Sequence, residues 1–199
     1  MTGVTKLETG SSSAGTKMKA YALICSLLLF TPAIVTAFQS IDNQSVKRAL
    51  EEDQASRSEE NLQQGKFPKF ADEMNRRLLV FTALSRGELV TANDFYHAAV
   101  ILQHTNLEHV GDTLRSMGTE NHLLAHFLAR RARELGHSNV NWLLVATYNR
   151  YLEYSSVHDF DRYALKLDGE IIKARAEVVT DEDRIAVGLI PVSNIMDGL

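Results

Sequence analysis

Between Glu120 and Tyr154, apolar residues recur at helical spacing twice in succession, with Gly136 between the two runs. Leu123, Leu124, Phe127, Leu128, Ala132 and Leu135 mark the first run; Trp142, Leu143, Ala146, Tyr148 and Leu152 mark the second. Steps of three and four place such residues on one face of a helix. Two amphipathic helices joined by Leu-Gly-His-Ser-Asn fold back on each other as an antiparallel pair. Arg130, Arg131 and Arg133 suit the negative end of the first helix dipole, and Gly136 suits the residue just past its end. Ser138 or Asn139 can cap the second helix. The string Ala129–His137 followed by Trp142–Leu152 has the look of a helical-repeat unit. No second copy recurs at a fixed period, and stacks need about three, so a repeat fold is the minor alternative.

The rest of the chain adds helices, then a change of period. Ala71 to Ser85 carries Met74, Leu78, Phe81 and Leu84 at helical spacing, and Gly87 can stop it. Thr91 or Asn93 can cap a third run through Phe95, Ala98, Ala99 and Leu102 to His104. Val46 to Gln64 is polar and reads as a solvent-facing helix, or one covered by later elements. Thr105 to Thr119, with Gly111 and Gly118, reads as a loop holding one helical turn. After Tyr154 the period becomes two: Tyr163 to Leu167 and Ile171 to Val179 alternate around the turn signal Asp168-Gly169. Thr180 caps a short helix that Gly188 and Pro191 end, and residues 193–199 form a tail. The expected class is α+β: a mainly α-helical core of about five helices in antiparallel pairs, with a C-terminal β-hairpin. Residues 38–192 make one domain.

The N-terminal part reads as an address. Met18-Lys19 gives a short positive start, and Ala20–Phe30 an apolar run within the roughly 7–15 residues of a signal-peptide core. Pro32 breaks the helix, and Val35-Thr36-Ala37 offers a cleavage site before Phe38. Residues 18–37 are thus expected to be a signal peptide, and 1–17 an upstream artefact or a disordered stretch. The alternative is an inner-membrane anchor. Ala20 to Phe38 is just long enough to cross a bilayer core of ~30 Å, though Pro32 and the Ser and Thr positions weaken it. Cys25 is no lipoprotein site, because bulky Ile24 precedes it and most of the apolar run follows it.

Composition narrows the function classes. The single cysteine excludes a disulfide scaffold or a Cys-rich zinc module, and cleavage removes it, which excludes a cysteine nucleophile. A thiol-free chain suits an oxidising exported compartment, the periplasm or the medium. The formal charge of −4 argues against a nucleic-acid partner, since phosphate contacts need clustered Lys and Arg. No Gly-rich phosphate loop and no Gly-x-Ser-x-Gly elbow is present.

Several strings resemble a family of uncharacterised bacterial proteins, a domain of unknown function. They are Glu51–Gln54 with Arg57, Asp94–His104, Leu124-Ala-His126 with Leu128-Ala, Arg131-Ala, Glu134-Leu-Gly136, and Trp142-Leu-Leu with Asn149–Leu152. Val179–Arg184 with Gly188 and Pro191 also fits, so the resemblance spans about 46–192. Where the family has a Gln-Arg-Phe-Gly-Thr-Gln type of strand, this chain has Asp161–Lys166. It keeps the arginine and the aromatic and loses the glycine and both glutamines. The resemblance implies an exported helical domain and carries no known reaction.

The candidate pocket residues are Asp53, Arg57, His97, Gln103, His104 and His126. His97 and His104 are seven apart, ~10 Å along one helix face, too far to share one zinc. They can flank a pocket with Gln103, or simply hydrogen-bond to Asp53 or to backbone. Glu52 or Asp53 can reach one of them and raise its basicity. In the plainer account Asp53 and Arg57 are a helical ion pair. His122 and His126 are four apart, a metal-binding spacing, but the string His-Leu-Leu-Ala-His lacks the glutamate of metalloproteases and a third ligand is unplaced. In the plainer account one of the two is a surface histidine and the other a packed core histidine. The Arg130–Arg133 cluster reads as a solvated helix end, and Trp142, Tyr148 and Tyr151 as core and rim packing.

These readings point to an exported, non-enzymatic domain that binds a small molecule or an envelope protein. No cofactor is expected, and no membrane contact beyond an uncleaved signal segment. The alternative is a His/Asp-based hydrolase or a metal-dependent enzyme, with zinc at His122 and His126. Polar groups converging in one pocket favour the alternative; a dispersed set favours the binding domain.

Overall fold

The computed structural model describes residues 41–111, 113–155 and 159–196. The expected signal peptide and the segment upstream of it lie outside these residues. The fold is α+β and mainly helical. Five helices of 13–16 residues form its body: α1 (Gln44–Ser56), α3 (Phe70–Ser85), α4 (Ala92–His104), α5 (Glu120–Glu134) and α6 (Asn141–Tyr154). Short α2 (Glu59–Gln63) sits between the first two. Two antiparallel hairpins interrupt and follow the helices: β1 (Leu107–Val110) with β2 (Thr113–Ser116), and β3 (Leu165–Asp168) with β4 (Ile171–Ala174). Three short helices complete the described chain: α7 (Phe160–Tyr163), α8 (Asp181–Ala186) and α9 (Val192–Met196). Among the described residues no helix is long and apolar enough to cross a membrane.

α4 is the central element and packs against α1, α3, α5 and α6. Its residues Ala98 to Gln103 are all buried, so it has no solvent face over nearly two turns. Ala98 and Ala99 on α4 meet a partner whose buried face is also small, with Ala125, Ala129 and Ala132 on α5. Small residues on both sides allow two helix backbones to approach closely. The stripe expected for α5 holds at Leu128 and Ala132, which are buried, but Phe127 and Leu135 are exposed, and the rest of the inner face is Asn121, alanine and histidine.

Helix ends follow local chemistry. Thr91 caps α4 in a capping box with Asp94, and Thr180 caps α8 in the same way with Asp183. Gly136 takes φ 91° after α5, where Gly136 N–H donates to Arg133 O and His137 N–H to Ala132 O. That is the Schellman closure, which needs a left-handed residue. α6 departs from expectation: Val140 is its cap residue, and neither Ser138 nor Asn139 donates a capping side chain.

Four further corrections concern element type. The polar run 46–64 is two helices, because the chain breaks at Arg57 and Ser58 Oγ caps α2. The stretch expected as a loop after Thr105 is the β1–β2 hairpin, its strands too short to show a period of two. Tyr163 belongs to α7 and β3 begins at Leu165; the hairpin turn is Gly169-Glu170 with Gly169 at φ 59°. Val192–Met196, mostly assigned to a tail, is helical and buries Ile195.

α3 also turns a different face inward. Its buried residues are Glu73, Arg76, Val80 and Ala83, whereas Leu78 is 64% exposed. Two charged residues on an inner face need partners, and they find them on α1.

Candidate functional site

Val46, Ala49 and Asp53 recur at steps of three and four, so one face of α1 turns inward and takes Asp53 with it. Asp53 is 0% exposed and has four partners. Arg57 donates to Oδ1 at 2.9 Å and Gln54 to Oδ2 at 3.1 Å. Arg76 Nε lies 3.6 Å from Oδ1, an ion-pair distance, and His104 Nδ1 lies 2.7 Å from Oδ2. Arg57 also donates to Glu73 Oε1. Burial pushes the Glu73 carboxyl up, and the Arg57 and Arg76 guanidiniums pull it part of the way back. Two acids and two guanidiniums therefore balance around His104.

The C-terminus of α4 is fixed by side chains from three other segments. The last carbonyls of a helix have no partner within it. Here Asn121 Nδ2 donates to Leu102 O at 2.6 Å, Arg150 Nη1 to Gln103 O at 3.5 Å, and Arg57 Nη2 to His104 O at 3.1 Å. Three consecutive carbonyls are thus met from α5, α6 and the end of α1. His104 is the last residue of α4, so this closure sets where its ring stands.

His104 lines an open cleft of about 650 Å³. The cleft runs from Leu62 on α2 and the Phe67-Pro68 loop, past Phe70 at the start of α3, to Leu107 and Leu114 on the β1–β2 hairpin. Its polar groups are Arg57, Glu73, His104, Glu108 and Arg150. Phe67 and Phe70 are 66% and 45% exposed, which gives the mouth an apolar rim. Among the described residues Arg150 has no carboxylate, and Glu108 no cation, within ion-pair distance, so the cleft holds one unpaired charge of each sign.

Asp53, Arg57 and His104 are brought together; the other candidates lie elsewhere. His97 is half-buried near Asp42 and Asp94, and burial lowers its pKa while those two acids oppose the shift. Gln103 turns toward α6 and donates to Ala146 O at 3.2 Å. His126 is fully buried and donates from Nδ1 to Leu144 O at 3.1 Å. His122 is fully buried too, with Nε2 3.1 Å from Ser116 Oγ. Neither is the surface histidine that the sequence account placed in this pair. Burial brings both imidazoles down to about 4, with Arg150 a lesser cause at His122 and Arg130 at His126. Among the described residues no group of three or more His, Cys, Asp or Glu could hold a metal ion.

Two histidines therefore touch an oxygen group at this end of the molecule, and they differ in kind. An imidazolium at His122 would be buried beside the Arg150 cation, with Nδ1 unpartnered. His104 has a carboxylate on Nδ1 and a side chain 24% exposed. The His122 ring is held neutral.

Glu73, Arg76, Arg150 and Ser116 were not anticipated as site residues. Arg150 falls within the Asn149–Leu152 string that carries the family resemblance, but nothing local assigned it a role. Glu73 and Arg76 were hidden by the adjoining apolar stripe of α3, of which Phe81 and Leu84 also pack against the core. No family model matches the chain, and neither a curated protein nor a solved structure is significantly similar to it.

Proposed function

We propose that this is an exported ligand-binding domain whose ligand enters the cleft between α2, α3, the β1–β2 hairpin and the end of α4. The cleft itself carries the reading. Its volume, about 650 Å³, falls inside the roughly 300–1,000 Å³ of small-molecule sites. Six apolar residues line it, with five polar groups, four of them Arg or Glu. A ligand with an apolar body and an anionic head group suits it. The body takes apolar surface at Phe67, Phe70 and Leu114 out of water, worth ~25 cal/mol per Å². The head group takes the Arg150 guanidinium, a fork well shaped for a carboxylate.

Calorimetric titration of the purified chain with decanoate and with decanol tests this. Decanoate is expected to bind more tightly than decanol, and Arg150→Gln to remove that preference. Phe70→Asp, which places an acid at the first position of α3, is expected to abolish decanoate binding without loss of the fold. Failure of decanoate to bind, or equal binding by Phe70→Asp, overturns the reading.

A further inference from the structure

We propose that His104 is a general base that activates water against a carboxylic ester held in this cleft, with Asp53 as its positioning residue. The inference rests on the cleft being the ligand site, and it adds chemistry to that site. Asp53 is an acceptor on the Nδ1 side, 2.7 Å away, so a neutral ring places its hydrogen on Nδ1 and its lone pair on Nε2. Among the described residues no protein group hydrogen-bonds to Nε2. That atom is free to accept a proton, and the imidazolium it forms faces a buried carboxylate. Such a carboxylate holds the ring orientation and the tautomer. The groups around the pair are Arg57, Arg76 and Glu73, which with Asp53 make a neutral set before any proton moves.

Among the described residues the cleft lining holds no Ser, Thr or Cys, so water is the nucleophile. Nε2 takes a proton from water as the water oxygen bonds to the ester carbonyl carbon. The carbonyl π pair moves onto oxygen, and the oxyanion is stabilised by the Arg150 guanidinium, which already stands at the carbonyl of Gln103, the neighbour of His104. The oxyanion collapses, the bond to the alkoxy oxygen breaks, and the leaving alcohol takes the proton from Nε2. The products are an acid and an alcohol. The apolar lining selects esters with an apolar acyl chain.

The test is release of 4-nitrophenolate from 4-nitrophenyl butyrate by the purified chain. Turnover is expected, with His104→Gln lowering it at least ~10²-fold, the lower end of general-base effects. Glutamine keeps an N–H for Asp53 and removes the base, so decanoate binding is expected to survive in that variant. His137→Gln, on a ring stacked against Tyr96 outside the cleft, is expected to leave turnover unchanged. The rate of the unaltered chain is expected to fall on the acid side as the imidazole gains a proton. Asp53→Asn is expected to lower kcat for 4-nitrophenyl butyrate while leaving its KM and decanoate binding unchanged, which loss of structure alone would not do. Decanoate binding without ester turnover overturns the hydrolytic step and leaves the binding site standing; absence of both overturns both. Equal loss in His104→Gln and His137→Gln, or a rate with no acid limb, also overturns the proposal.

Discussion

At His122 and His126 the protein holds two neutral imidazoles where water does not reach. Their folded values near 4 lie below the ordinary 6.5, so the folded state binds fewer protons than the unfolded chain between those two pH values. Stability then rises with pH across that window and is lost as pH falls through it. The drop from 6.5 to about 4 corresponds to roughly 3 kcal/mol for each ring once the pH reaches the folded value. Glu73 works in the opposite sense: its folded value is raised, so its contribution is complete below 4.5 and fades as pH rises. Urea unfolding is expected to show a lower midpoint at pH 5 than at pH 7, and His126→Gln a smaller difference between the two. A midpoint independent of pH from 7 to 5 would refute the buried-neutral assignment.

The elements show where local chemistry suffices. Thr91 with Asp94 and Thr180 with Asp183 state a helix start within four residues, because a hydroxyl and a carboxylate satisfy the amides nearest to them. Gly136 states a helix end for a similarly short-range reason. The end of α4 is different: its carbonyls wait for Asn121, 16 or more residues away in sequence. Asn121 donates to Leu102 O and to Thr105 O, both buried. Asn121→Ala is expected to leave them unmatched and cost about 1–3 kcal/mol. The thermal midpoint reads that loss. The β1–β2 hairpin has the same character, since four-residue strands hold too little pattern to distinguish from loop.

The cleft belongs to the whole molecule. Its lining comes from the end of α1, α2, the loop after it, α3, the end of α4, the first hairpin and α6, and no single segment defines it. A ligand that needs all of these surfaces together binds the folded state and not the unfolded chain. Decanoate at a hundred times its dissociation constant is expected to stabilise the fold by ~2.7 kcal/mol. Scanning calorimetry should show a raised midpoint for the unaltered chain and none for Phe70→Asp. A rise of equal size in both would place the binding outside the cleft.

Sequence alone determined most positions of the long helices, the caps at Thr91 and Thr180, the helix end at Gly136, the second hairpin and the α+β class. Each of these follows from hydrogen bonds and side-chain periods that act within a turn or two of chain. Tertiary structure decided which faces turn inward and which residues meet. Asp53 and His104 stand 51 positions apart, and each was readable as a candidate, yet only the packing of α1 on α4 joins them at 2.7 Å. The inner face of α3 shows the same limit. A pattern of apolar residues pointed to Leu78, but the charges of Glu73 and Arg76 are neutralised by Asp53 and Arg57 on another helix, and so it is their side that is buried. Hydrophobic spacing measures what a helix can bury alone; a charge becomes buriable only when folding supplies its counter-charge.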